Sequence, residues 1–157
     1  MALFLLFRIG PDYYALDSAE VAEVLPLTAV KRIPGAPAWV SGLMTRRGQT
    51  VPVIDVTALA TGVAAGARTS TRTVLVHYRR PGTGEGATHL LGLRLEYATD
   101  TLRCDPASFV DSGIDPGPAR YLGPVRQDAR GLVQWVHVAN LLPDTVHTLL
   151  FPEANPA

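Results

Sequence analysis

Only one cysteine, Cys104, occurs in 157 residues. A lone thiol rules out an internal disulfide, and without a second cysteine there is no thiolate pattern for a structural metal. A reducing, cytoplasmic setting is the expectation. Excess charge of either sign is missing too, because fourteen Lys plus Arg balance fourteen Asp plus Glu. The like-charged pairs Lys31-Arg32, Arg46-Arg47 and Arg79-Arg80 lie far apart along the chain. No basic stripe therefore forms for a phosphate backbone, and nucleic acid is not an expected partner. Aromatic residues amount to 7%, too few for a groove that stacks bases. Long apolar runs are absent as well. The first seven residues are apolar, but Arg8 stops them and no basic segment precedes them. They fall far short of the ~20 residues of a spanning helix, so neither signal peptide nor membrane insertion is expected.

Reaction chemistry is equally hard to find. Gly82, Gly84 and Gly86 lack the spacing of a phosphate cradle and are followed by a strand pattern where a helix would be needed. His77, His89, His137 and His147 sit on separate segments without metal-ligand spacing. No nucleophile elbow surrounds Ser41, Ser70, Ser108 or Ser112, and Cys104 has no activating histidine beside it. Asp100, Asp105, Asp111 and Asp115 lack the order of a calcium loop. No catalytic residue, metal or cofactor is expected.

What is present is a globular composition, 47% hydrophobic and 18% charged, in a length that fits one domain or two small lobes with a common core. The pattern is organised around residues 40–56, VSGLMTRRGQTVPVIDV, where two alternating apolar runs flank a break at Arg47-Gly48-Gln49. A period of two on either side of a glycine predicts a β-hairpin. Pro52 places its strand at an edge or turns the missing N–H away from a neighbour. Upstream, residues 3–9, the turn Gly10-Pro11-Asp12 and the aromatic Tyr13-Tyr14 read as strand, turn, strand. Asp17 and Glu20 have the spacing of a capping box before a short turn and a third strand reaching Leu27. Residues 57–60 close the first half with a helical turn, and the Gly-rich residues 61–70 read as a flexible link.

The second half opens with residues 71–78, TRTVLVHY, a β-branched strand, and continues after a long loop through 89–95 and 97–102. Residues 105–118 are rich in Pro, Gly and Asp and read as loop. From Tyr121 the chain restates the organising stretch: Arg130-Gly131 answers Arg47-Gly48, residues 133–138 answer 51–56, and His137 stands near the place of Asp55 with one residue of slip. Two similar small units follow.

The segments FLLFRIGPDYYAL, VAEVLPLTAVKRIPGAPAWVSGLMTRRGQTVPVID, TRTVLVHY, HLLGLRLEYATDTL and YLGPV with GLVQWVHVANLL resemble, in order and spacing, the CheW-type chemotaxis coupling proteins. The resemblance implies an all-β fold of two intertwined five-stranded barrels of the Src-homology-3 kind, with a few short helical turns. On that reading residues 1–157 are one such domain, with lobe 1 at about 1–68, lobe 2 at about 69–145 and a short tail at 146–157. It also implies a non-catalytic cytoplasmic adaptor. The expected partners are the cytoplasmic tip of a methyl-accepting chemoreceptor and the regulatory domain of a CheA-type histidine kinase. The competing classes are a small ligand- or nucleic-acid-binding barrel and a small hydrolase. Departures from the family pattern are Arg46 where an apolar residue is usual, Glu96 in place of an aspartate, and Tyr121-Leu122-Gly123-Pro124 around a displaced glycine.

For particular residues the resemblance implies that Val21 and Val74 meet the receptor helix in a groove between lobes, plain core packing being the alternative for both. Gly42 falls beside that surface, with a tight backbone approach as its alternative. Glu23 and Arg47 are expected to pair, joining the third strand to the hairpin. Arg46 is expected to lay its stem on apolar surface with its guanidinium in water. Gly48 permits the bend of the hairpin, and Asp55 is expected to order it by accepting backbone hydrogen bonds.

Overall fold

The computed structural model describes residues 1–80 and 87–152, so the Gly82, Gly84 and Gly86 loop and the last part of the expected tail lie outside the described residues. The organising hairpin forms as β4, Val40–Arg46, and β5, Gln49–Asp55, with Arg46 opposite Gln49. Arg47 and Gly48 make the two-residue turn at φ 51° and 78°, the left-handed pair that matches the twist of the flanking strands. Residues 51–55 are all buried, as suits a strand covered on both faces. Pro52 faces Leu43 of β4, and the second neighbour of β5 joins only from Val53 onward, so the proline interrupts no ladder there.

The remaining strands are β1 (Ala2–Ile9), β2 (Asp12–Asp17), β3 (Val21–Pro26), β6 (Arg72–Tyr78), β7 (His89–Cys104), β8 (Leu122–Asp128) and β9 (Gly131–Val136). Among the described residues, helix is confined to α1 (Val56–Thr61), α2 (Asp144–Leu150) and three 3₁₀ turns. Asp17 caps the first of these turns through the Ala19 N–H at 2.9 Å. The expected third strand stops at Pro26, one residue short of Leu27. The two strands expected at 89–95 and 97–102 are one, because β7 runs unbroken through both.

That long strand ties the molecule together. Its first part pairs with β6 and β5, in a group ordered β3-β6-β7-β5-β4, and its second part pairs with β1, in a group ordered β7-β1-β2-β9-β8. The expected halves 1–68 and 69–145 are therefore not the pairing groups. β1 and β2 leave the first half and pair with β7 and β9 of the second, since a hairpin buries more apolar surface between two strands than at the chain's free end. Lobe 1 is thus the group with β3 to β6, and lobe 2 the group with β1, β2, β8 and β9.

Each lobe has a small apolar cluster of its own, Met44, Val51, Val53 and Leu75 in lobe 1 and Phe4, Leu6, Ala15, Cys104, Phe109 and Val133 in lobe 2. A larger cluster spans both and includes Phe7, Leu16, Ile54, Val74, Leu93 and Val136. α2 is equally tied in, docking on β6 through a hydrogen bond between the Tyr78 hydroxyl and His147 Nδ1 at 2.9 Å. Residues 61–70, expected as a flexible link, are instead held by side chains. Asp55 accepts from Ala65 N at 2.8 Å, Glu96 accepts from Gly66 N, and the Thr71 hydroxyl donates to the Gly66 carbonyl.

Candidate partner-binding surface

β3 lies at the edge of lobe 1 and alternates cleanly, half-buried at Val21, Glu23 and Leu25 and exposed at Ala22, Val24 and Pro26. Such alternation puts Glu23 between two apolar neighbours on the inward face, where a carboxylate is stable only with a partner. The partner is Arg46, at the end of β4. Its Nε donates to Glu23 Oε2 at 2.9 Å, and its Nη2 donates to Oε1, a fork-to-fork pair. Arg46 thus has a specific mate and does not hold its guanidinium in open water. The expected Glu23–Arg47 pair exists only at 4.0 Å, with the Arg47 side chain 80% exposed. Turn geometry explains the exchange: the left-handed backbone of Arg47 swings its side chain outward, while Arg46 is the last residue still in strand register. The Arg46 guanidinium, and behind it that of Arg47, holds the Glu23 carboxyl below its ordinary range.

The pair has a structural task. Lobe 1 has β3 at one edge and β4 at the other, and Glu23–Arg46 crosses between them. Beside it, Lys31 and Leu43 exchange backbone hydrogen bonds at 2.8 and 2.7 Å. Gly42 is part of this seam. At φ 145°, a Cβ there would overlap the Lys31 carbonyl oxygen and come within 2.7 Å of its carbon, so the tight backbone approach accounts for this glycine. Val74 is 0% exposed in the shared cluster and offers no side-chain surface to a groove. Val21 is half-buried against the same cluster. The outward residues that sequence reasoning missed are Val24 and Leu27, 46% and 37% exposed. The alternation of β3 already placed Val24 opposite Glu23.

Asp55 accepts backbone hydrogen bonds from beyond the hairpin it was expected to order, capping α1 through the Ala58 N–H at 3.0 Å and holding Ala65 N. Gly48 adopts the positive φ that the turn requires. Between the lobes, a cavity of about 540 Å³ opens where Leu59 of α1 faces Tyr121, Leu141 and Pro143; neither Val21 nor Val74 lines it. Burial raises the Tyr121 hydroxyl above its ordinary range. Among the described residues there is no group of three or more His, Cys, Asp or Glu that could hold a metal ion. No helix among them is long and apolar enough to cross a membrane.

Known proteins share this arrangement. The family model described as a CheW-like domain matches residues 3–146. A probable chemotaxis protein CheW of Rhizobium etli is 27% identical over 127 residues, covering 81% of this chain and 74% of that protein. Chemotaxis protein CheW of Treponema pallidum is 35% identical over 49 residues, 31% of this chain and 29% of that protein. Protein PilI of Pseudomonas aeruginosa is 35% identical over 49 residues, 31% of this chain and 28% of that protein. The matches to the Treponema and Pseudomonas proteins thus each span less than a third of the relative's length. The crystal structure of the scaffolding protein TtCheW from Thermoanaerobacter tengcongensis superposes with a TM-score of 0.76 at 19% identity, covering 90% of this chain and 88% of that one, a likeness of fold.

Proposed function

Because the chain belongs to the CheW-like domain family, we propose that it is a non-catalytic cytoplasmic adaptor that couples chemoreceptors to a CheA-type histidine kinase. The observation that carries this reading is the family match over residues 3–146, nearly the whole chain. The geometry supports it because the features that stand out are surfaces. The edge strand presents Val24, Leu27 follows it exposed, and the Arg47 side chain stands out in solvent; a cavity with both apolar and polar lining lies between the lobes. Edge strands and apolar grooves take up a partner's strand or helix.

On this reading the receptor tip lies against the outward face of β3, with Val24 as the apolar contact, Val21 behind it and Arg47 at its polar rim. Glu23 and Gly42 act one step back, fixing the seam that presents that face. Val74 contributes packing alone, so Val74→Arg is expected to unfold the protein while Val24→Arg leaves it folded. Co-sedimentation with receptor-bearing membranes and the kinase tests the assignment. Val24→Arg should cut the bound fraction severalfold and Arg47→Ala should cut it less, both with unchanged circular dichroism. Unchanged binding in both variants would remove the receptor from this face. Binding of a labelled oligonucleotide at low salt, or turnover of generic ester or phosphate substrates, would replace the adaptor reading altogether.

A further inference from the structure

Where β7 passes from lobe 1 to lobe 2, its backbone is bent. Leu95 still pairs with Arg72 in lobe 1, and Glu96 already pairs with Arg8 in lobe 2. The next residue, Tyr97, has φ 53°, one of two positive φ values outside glycine among the described residues. An aromatic residue in that region is strained and persists only when its surroundings hold it. Pairing with β1 is also irregular here, moving from Arg8↔Glu96 to Leu6↔Asp100. Residues 97–99 thus face the single residue Phe7, and a bulge of this kind bends its strand.

Four contacts hold that bend, and three of them come from the segment 62–71 that joins α1 to β6. Gly66 N donates to the Glu96 carboxylate, the Arg68 guanidinium lies 5.5 Å from the centre of the Tyr97 ring, and Ala98 N donates to the Ser70 carbonyl at 3.2 Å. From lobe 2, Arg8 approaches the same ring at 4.5 Å. The segment is itself anchored to lobe 1 by Asp55 through Ala65 N at 2.8 Å. It is closed on itself by Thr71, whose hydroxyl binds the Gly66 carbonyl and receives the Arg68 N–H at 3.2 Å.

We propose that residues 62–71 are a strap that clamps a hinge at Glu96-Tyr97 and thereby sets the angle between the two lobes. The clamp is built from one carboxylate, one aromatic ring and one backbone hydrogen bond, each on a successive residue of the bend. Releasing it frees the strained residue and lets lobe 2 rotate on β7. A partner held on one lobe is then felt at the other through a discrete element that both lobes share.

The test places spin labels on both hairpin tips, at Gln49→Cys and Gln127→Cys, both exposed, in a Cys104→Ser background. Hydrogen exchange of the full chain is measured in parallel. Glu96→Ala and Tyr97→Ala should each broaden the inter-label distance distribution and speed exchange of the Gly66 and Ala98 amides about tenfold or more. Glu96→Gln, which still offers an oxygen to Gly66 N, should restore both readouts. Faster exchange confined to Gly66 with an unchanged distance distribution overturns the hinge and leaves a simple loop tie. Should Glu96→Ala fail to fold, Arg68→Ala, at an exposed position, decides by the same distances: a broadened distribution supports the clamp and an unchanged one overturns it.

Discussion

The hairpins of the two lobes repeat one another at a constant spacing of 82 residues, and they differ in how each solves the same local problem. In lobe 1, Val40 faces Ile54 and Thr45 faces Thr50; in lobe 2, Leu122 faces Val136 and Gln127 faces Leu132. Asp55 N donates to the Trp39 carbonyl at 2.7 Å, and His137 N donates to the Tyr121 carbonyl at 2.8 Å. The isolated bridge Lys31–Leu43 has its counterpart in Val110–Val125. β5 runs parallel to β7, as β9 runs parallel to β2. Within this common frame the helical turn after the hairpin begins differently in the two lobes. Lobe 1 uses its own Asp55, which accepts from Ala58 and Ala65. His137 makes no capping hydrogen bond, and the Val138 backbone only partly offsets the burial of Glu20 by favouring its charged form. Burial raises the Glu20 carboxyl, with Asp17 adding to the rise. Lobe 1 caps its helical turn with its own side chain, whereas the corresponding turn of lobe 2 has no side-chain cap at its N-cap residue.

The sharpest break in the comparison is expected at the bulges of the two hairpins. Gly42→Ala drives a Cβ into backbone at Lys31 from a positive φ and should cost about 3–5 kcal/mol. Gly123→Ala meets the His137 ring, which can shift, and the Trp135 carbonyl at 2.9 Å, and should cost about 1–3 kcal/mol. Denaturant melts of both variants measure the difference, and equal losses would erase it.

Caps come next. Asp55→Ala strands the Ala58 and Ala65 amides and should cost about 2–4 kcal/mol. His137→Ala removes no cap and should stay within about 1 kcal/mol. A larger loss at His137 than at Asp55 would contradict this difference in capping.

Acid should affect the lobes in sequence. Burial holds the His137 imidazole below its ordinary value of 6.5, so the unfolded chain protonates first and stability falls as pH drops below 6.5. Glu23, held below 4.5 by Arg46, contributes fully above 4.5 and loses that contribution as pH falls through its lowered folded value. Asp128, held below 3.8 first by the Arg130 backbone N–H, follows the same sign. Glu20 has the opposite sign, its contribution being full below 4.5 and lost as pH rises through the raised folded value. Site-resolved hydrogen exchange should therefore show β8 and β9 losing protection as pH drops below 6.5 while β4 and β5 hold. His137→Gln should abolish that first step.

The smallest effect concerns the turns. Lobe 1 turns on Arg47-Gly48, both at positive φ, whereas lobe 2 turns on Ala129-Arg130 and puts its positive φ on Gly131. Arg47→Asn should gain about 0.5–1 kcal/mol by easing the left-handed strain, and Arg130→Asn should gain nothing.

These turns also show how far the sequence could be read. The Arg-Gly pairs are 83 residues apart and the strands 82, so matching the motif forced an apparent slip, although His137 stands in register with Asp55. Strands, hairpins and the family resemblance were legible because alternation and turn residues are local signals. The Glu23 partner was not: which of two adjacent arginines turns inward depends on the turn type, and a single strand pattern does not encode that. Val74 reads the same in a groove or a core until β3 and β7 cover it on either side. The interleaving of β1 and β2 with the C-terminal strands is a long-range choice invisible to any local pattern.

The claim that the molecule acts through its surfaces is tested most directly by titration. Increasing amounts of the protein are added to fixed receptor-bearing membranes and a CheA-type kinase, and kinase output is read at each step. The account predicts a response that requires receptor and kinase together and saturates near stoichiometric amounts of the protein. Saturation at a small catalytic fraction, or a full response without receptor, would contradict it.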